Sequence, residues 1–446
     1  MTEMMERISS RMRHSQTLRL LTVGLLVILL QIPVSMIGGQ VSERQLRGSE
    51  AVEEVSSKWG RRQVLSGPVL VVPYTLRSSV TDDAGRTTHS TQARNAYFLP
   101  QVLEVSGNVA TEQRRRGIFA VTVYQLTATL TGRFTRPDFS SLGLEPHSIG
   151  WDRAQLVIGI SDTRAIQRET AVTWAGVATD FLPGTASFDA APSGIHAVVA
   201  FPQATESVDF TLPLELHGSQ GVYFTPFGQG TQVELQSNYP HPSFQGNWLP
   251  GEREIGDGGF TARWTIPFLG RSFPQAWTDR DDMSGPIEGS QFGVNFLDPV
   301  DHYRMAERSI KYASLFILLT FAALWLFEVR AAVRVHPIQF LMLGGALCLF
   351  YLLLLALSEH MAFGLAYALA SVAVVAMVAA YGVVVLRGIG KASTVATVVA
   401  LLYAYLYVLL VNEDYALLIG SIGLFAILGL IMYATRKVDW YQAGTK

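Results

Sequence analysis

The chain has 446 residues, with 34 Lys and Arg against 36 Asp and Glu and a formal net charge of -2. So even a balance gives no overall field favouring nucleic acid, which is excluded as an expected partner. The single cysteine, Cys348, rules out a disulfide framework and any cysteine-based metal or redox centre. Charges, Gly and Pro are scattered through residues 39–311, whereas 312–434 is almost wholly apolar with short polar breaks. That contrast predicts a membrane protein with a large aqueous segment inserted near its N-terminus.

In chain order, residues 1–17 are basic, with Arg7, Arg11 and Arg13, and precede a first apolar run at 18–38. The run is long for a signal core and no small-x-small site closes it, so it is expected to be an uncleaved anchor. Residues 41–62, VSERQLRGSEAVEEVSSKWGRR, place Val52, Val55 and Trp59 at helical spacing among charges. They predict a helical stalk continuing from the anchor.

The pattern then changes to period two. Val121, Val123, Leu126, Ala128 and Leu130 alternate, with one phase shift near Tyr124-Gln125. Val208, Phe210, Leu212, Leu214 and Leu216 alternate without interruption, and so do Phe260, Ala262, Trp264, Ile266 and Phe268. Alternation between turn-rich links predicts antiparallel strands covered on one face, hence a β-sandwich or two in series over 39–311. The polar stretch 80–91 reads as a hairpin tip.

Five further apolar runs follow, at 312–329, 338–357, 361–386, 393–411 and 415–434, before a tail at 435–446. Arg330, Arg334 and His336, then Arg387 and Lys391, then Arg436 and Lys437 mark alternate connections. The other two tips, Ser358-Glu359-His360 and Asn412-Glu413-Asp414, contain no Lys or Arg. The positive-inside rule then expects both termini in the cytoplasm and the large segment outside. The predicted fold class is an α+β membrane protein. It has six transmembrane helices and a large periplasmic antiparallel β-sandwich-type domain between the first and second.

Candidate sites follow from polar residues in awkward places. Glu359 and His360 sit on a tip so short that neither leaves the membrane interface, where ionisable groups are functional candidates. A wet hairpin end is the plainer reading of them, and a proton relay the second. For Glu359 a partner such as His360 or Arg308 is expected. Tyr303, Arg308 and Lys311 crowd the entry to the second helix, where an interfacial belt in contact with membrane lipids is expected. Glu328 and His336 form a minor candidate proton path at the opposite ends. A snorkelling pair and a helix start with Pro337 at its first position are the plainer readings. His241, Phe244 and Trp248 lie in a Pro-rich loop, SNYPHPSFQGNWLP, expected to cap the sandwich or to present a binding surface. No H-E-x-x-H, Walker loop or G-x-S-x-G occurs, so no catalytic residue, metal site or cofactor is expected.

The stretch 237–250, Gly67-Pro68, 303–312 with Arg308 and Lys311, His336-Pro337 with Gln339, and FYLLLLALSEH at 350–360 resemble the CreD family of bacterial inner-membrane proteins. The resemblance covers essentially the whole chain. It implies a cell-envelope integrity protein associated with an envelope-stress response and with altered tolerance to envelope-acting toxins and β-lactams. It brings no catalytic residues. The expected function is therefore non-enzymatic, with the sandwich domain binding an unidentified periplasmic partner or envelope component. A transporter or lipid-handling role for the helical bundle is the alternative.

Overall fold

In the computed structural model the described residues are 16–81, 87–186, 188–202, 205–296, 302–331 and 335–436. The chain divides into two compact units, one of residues 1–48 and 300–446 and the other of residues 49–299. The basic residues Arg7, Arg11, Arg13, Arg334 and Lys437 lie outside the described residues.

The helix α1 (Gln16–Trp59) contains the first apolar run and the stalk expected over 41–62 as far as Trp59. Its last turns belong to the β-rich unit, which also holds a short helix α2 (Ser284–Glu288) and two sheets. A ten-stranded sheet is built on β1 (Gln63–Thr81), which pairs antiparallel with β2 (Thr87–Phe98) and with the strand Ala154–Ile160. Residues 82–86, the tip of the hairpin expected at 80–91, lie outside the described residues. An eight-stranded sheet is built on β3 (Val102–Arg116) and β4 (Phe119–Thr135), paired along their length.

The expected antiparallel sandwich is corrected to two mixed sheets. β1 runs parallel to Gly221–Phe224, and β3 runs parallel to Gly230–Ser237. Alternation reports which face of a strand is covered and is blind to the direction of its neighbour. A single buried cluster draws on both sheets, with Leu70, Leu156 and Phe292 from one and Val105, Leu212 and Trp264 from the other. One core therefore serves both sheets.

Local patterns explain the register. On Ser207–Ser219, Val208, Phe210, Leu212, Leu214 and Leu216 are all buried. In β4 the phase shift falls at Tyr124, so that Val123, Tyr124 and Leu126 are all buried. The Tyr124 ring lies over Gly218, its register partner, where an added Cβ would meet the ring at 2.3 Å. Its hydroxyl donates to the Gly221 carbonyl. Phe268, expected in the core, is 38% exposed. The strand ends at Pro267, which has no N–H to continue the ladder, and Phe268 opens a 3-10 turn instead.

The helical unit contains α3 (His302–Lys311), α4 (Ala313–Ala331), α5 (Pro337–Ser358), α6 (Phe363–Val385), α7 (Ile389–Val411) and α8 (Ala416–Thr435). Among the described residues five helices are long and apolar enough to cross a membrane, or six if the bent pair α3 and α4 counts as one span. α3, counted above with the aqueous segment, packs against α4, α5 and α7. The bundle core includes Phe321, Phe350, Leu354 and Leu406. Gly344 lets Leu30 of α1 come close, since a Cβ there would meet the Leu30 side chain at 2.1 Å. Cys348 is buried in this core with its Sγ 4.0 Å from the Leu30 carbonyl.

Candidate functional site at the helix tips

α3 is strongly amphipathic and buries Tyr303, Ala306 and Ser309 while Arg304 and Lys311 are exposed. It meets α4 at a bend of 47°. That geometry carries α3 across the end of the bundle where the polar breaks 358–360 and 412–414 occur, and it makes contacts with both.

At the first break Glu359 is the C-cap of α5, with its side chain 8% exposed. Helix C-termini carry partial negative charge, so a sequestered carboxylate there needs donors. Tyr303 Oη donates to Glu359 Oε1 at 3.1 Å, and Arg44 Nε of α1 lies 3.6 Å from the same oxygen. The expected partners are therefore corrected. Arg308 points to the other break, and His360 is exposed.

At the second break Arg308 donates through Nη1 to the Leu410 carbonyl at 3.3 Å and through Nη2 to the Leu409 carbonyl at 3.2 Å. Its Nη1 also lies 3.2 Å from Glu413 Oε2, and its side chain is only 16% exposed. The guanidinium thus satisfies carbonyls at the C-terminal end of α7 that have no partner within the helix. Arg304 reaches the same Glu413 oxygen at 3.5 Å. Lys311 turns back to Glu307 at 2.8 Å and is exposed. One short helix therefore fastens the ends of α5 and α7.

The other sequence candidates are placed elsewhere. Glu328 is 7% exposed, and its Oε1 accepts from the Val335 amide at 3.3 Å. His336 is the N-cap of α5. Its Nδ1 accepts from the Ile338 amide at 3.3 Å while Gln339 Oε1 accepts from the His336 amide at 2.8 Å. Helix capping accounts for that histidine.

In the β-rich unit, His241 is exposed, and Phe244 packs edge-on against Phe260 and Trp264 at 5.6 and 5.7 Å. Trp248 packs on Phe292, and its carbonyl accepts from Trp264 Nε1 at 3.2 Å. Phe244 belongs to a strand of one sheet and Trp264 to the other, so this loop joins the two sheets. Its exit borders a groove of about 280 Å³ walled by Trp248, Leu249, Glu252 and Arg263.

Sequence reasoning missed two features. Arg44 pairs with Glu359, and it is one of two arginines, with Arg47, on the helix just beyond the first apolar run. Trp59, ending α1, is stacked between His217 at 3.7 Å and the Arg114 guanidinium at 3.5 Å. Burial, and after it the charge of Arg114, lowers the affinity of the His217 imidazole for a proton. Among the described residues no three of His, Cys, Asp and Glu gather as a metal site.

The family described as Inner membrane protein CreD matches residues 15–441. The chain belongs to the CreD family. It is 32% identical over 418 residues to the Inner membrane protein CreD of Escherichia coli strain K12, covering 93% of this chain and 91% of that one. Among solved structures, an M1 zinc metallopeptidase of Deinococcus radiodurans aligns over 38% of this chain and 39% of its own. Its identity is 11% and its TM-score 0.20, a likeness that bears on neither fold nor activity. The chain is thus an α+β, multi-pass inner-membrane protein of the envelope with a β-rich unit.

Proposed function

We propose that this chain is a non-enzymatic inner-membrane protein that supports envelope integrity and tolerance of envelope stress. In this reading both termini are cytoplasmic and six helices cross the membrane. The β-rich unit is periplasmic and binds an envelope component or partner protein.

The observation that carries the reading is the pairing of charge at the ends of α5 and α7. Glu359, Arg308 and Glu413 are occupied in holding helix ends together. Transporters of known kinds place polar groups near the bilayer midplane, at broken helices. A bundle fastened at its ends by its own charges serves as an anchor, with the exposed Lys311 and the half-buried Tyr312 at the interface with lipid headgroups. Binding then falls to the β-rich unit, for which the groove beside Trp248 and Leu249 offers an open surface with both charges, Glu252 and Arg263, on its walls.

The test is made in cells. A photo-crosslinking residue at Leu249, which is 64% exposed, is compared with one at Val177, which is 65% exposed on a remote strand. Capture at Leu249 that disappears on Glu252→Arg, with loss of stress tolerance in the same variant, is expected. Undiminished tolerance in cells lacking the whole chain would end the proposal. The bend between α3 and α4 favours a second reading, transport or lipid handling, which uptake by proteoliposomes containing the purified chain would support.

A further inference from the structure

The helical unit carries a layer of hydroxyls well inside its apolar length. Thr320 of α4, Tyr351 of α5, Ser371 of α6 and Tyr403 of α7 each lie seven or eight residues in from the end at which α3 sits. At about 1.5 Å per residue this is roughly 11 Å inside the bundle. Four neighbouring helices thus place a hydroxyl at one depth.

Thr320, Tyr351 and Tyr403 are 3%, 3% and 5% exposed, yet together they line a cavity of about 10 Å³. Phe316, Leu347 and Val399 supply apolar wall. Thr320 Oγ1 donates to the Phe316 carbonyl at 2.8 Å, which leaves its lone pairs free to accept. Tyr367, close by, is satisfied differently, donating to the Tyr403 carbonyl at 2.7 Å. Among the described residues no hydrogen bond occupies the hydroxyl of Tyr351 or of Tyr403. Buried hydroxyls are nearly always paired with protein or with an ordered water, and an apolar surrounding makes an unpaired one expensive.

We propose that this cavity is a binding site for one water molecule, held by Tyr351, Tyr403 and Thr320. The volume is that of a single water site, and three polar partners fall within the two to four such a water requires. Both phenols donate to the water oxygen, and the water donates to Thr320 Oγ1. No carboxylate lines the cavity, so a metal cation would find no counter-charge there. The water ties α4, α5 and α7 together where no protein–protein hydrogen bond joins those three hydroxyls.

The experiment uses the full chain purified in detergent and follows thermal unfolding of Tyr351→Phe, Tyr403→Phe, the double variant, Thr320→Val and Ser371→Ala. Ser371 is the internal control, because among the described residues its buried Oγ makes no hydrogen bond and it does not line the cavity. Each tyrosine variant and Thr320→Val is expected to lower the midpoint. The double variant is expected to lose less than the two single losses added, because one water is shared. Ser371→Ala is expected to hold or raise the midpoint. A midpoint unchanged or raised in Tyr351→Phe and Tyr403→Phe, as in Ser371→Ala, would mean a dry cavity relieved of unpaired hydroxyls. Strictly additive losses would mean two independent contacts. Either result overturns the shared water.

Discussion

Glu359 stands where a carboxylate is least welcome, at the negative end of a helix and almost out of solvent, with Tyr303 and Arg44 as its partners. Glu359→Gln keeps the shape and removes the charge, leaving Arg44 unmatched. A loss of about 1–3 kcal/mol is expected, in the range of hydrogen bonds to charged groups. A lowered thermal midpoint of the purified chain would register it, whereas the exposed His360→Asn should leave the midpoint in place. Equal effects from the two changes would contradict the assigned pairing. His217 offers a pH test within the β-rich unit. Its proton affinity is lowered in the native state by burial and by Arg114, so the unfolded chain binds the proton more readily. Stability is therefore full above the ordinary histidine pKa of about 6.5 and falls as pH drops below it. Denaturant midpoints of the β-rich unit between pH 7.5 and 5 should show this decline, and His217→Gln should flatten it.

Among the elements, α3 has the greatest leverage for its length, because it holds the ends of two longer helices. Arg308→Ala would leave the Leu409 and Leu410 carbonyls without their donor and Glu413 with one cation fewer. The expected cost is about 1–2 kcal/mol, the range for a favourably placed cation at a helix end. Amide exchange should accelerate in the last turn of α7 and remain unchanged in α6. Exchange that rises uniformly across the bundle would instead point to global loosening. The strands were legible where one face is covered, as in the unbroken alternation from Val208 to Leu216. The apolar spans were legible from length alone. What alternation could not convey was the parallel pairing of β1 with Gly221–Phe224, since partners so distant in sequence are selected by tertiary packing. The pairing of Arg44 with Glu359 was hidden for the same reason. Phe268 obeyed the pattern yet left the core because a proline stopped its strand one residue earlier.

For the whole molecule, the arrangement of basic connections leads to a topology test. An export-dependent reporter fused after Glu413 should be active, and one fused after Arg387 inactive; the reverse would refute the proposed orientation. The two compact units also differ in what they require to fold. A fragment of residues 49–296 contains the two-sheet core complete and none of α3 to α8. It should be soluble without detergent and give a circular dichroism spectrum dominated by strand. A helical spectrum, or recovery only in detergent, would show that the core depends on the bundle.

The burial of Cys348 has a practical side. With the chain's single thiol enclosed among Leu30, Leu347 and their neighbours, the folded surface offers sulfur reagents nothing to attack. A cysteine installed at Leu269, which is 92% exposed, would be chemically alone. Spectroscopic labels, gold particles or tethered cross-linkers could then be addressed to one chosen spot, with no native cysteine to remove first.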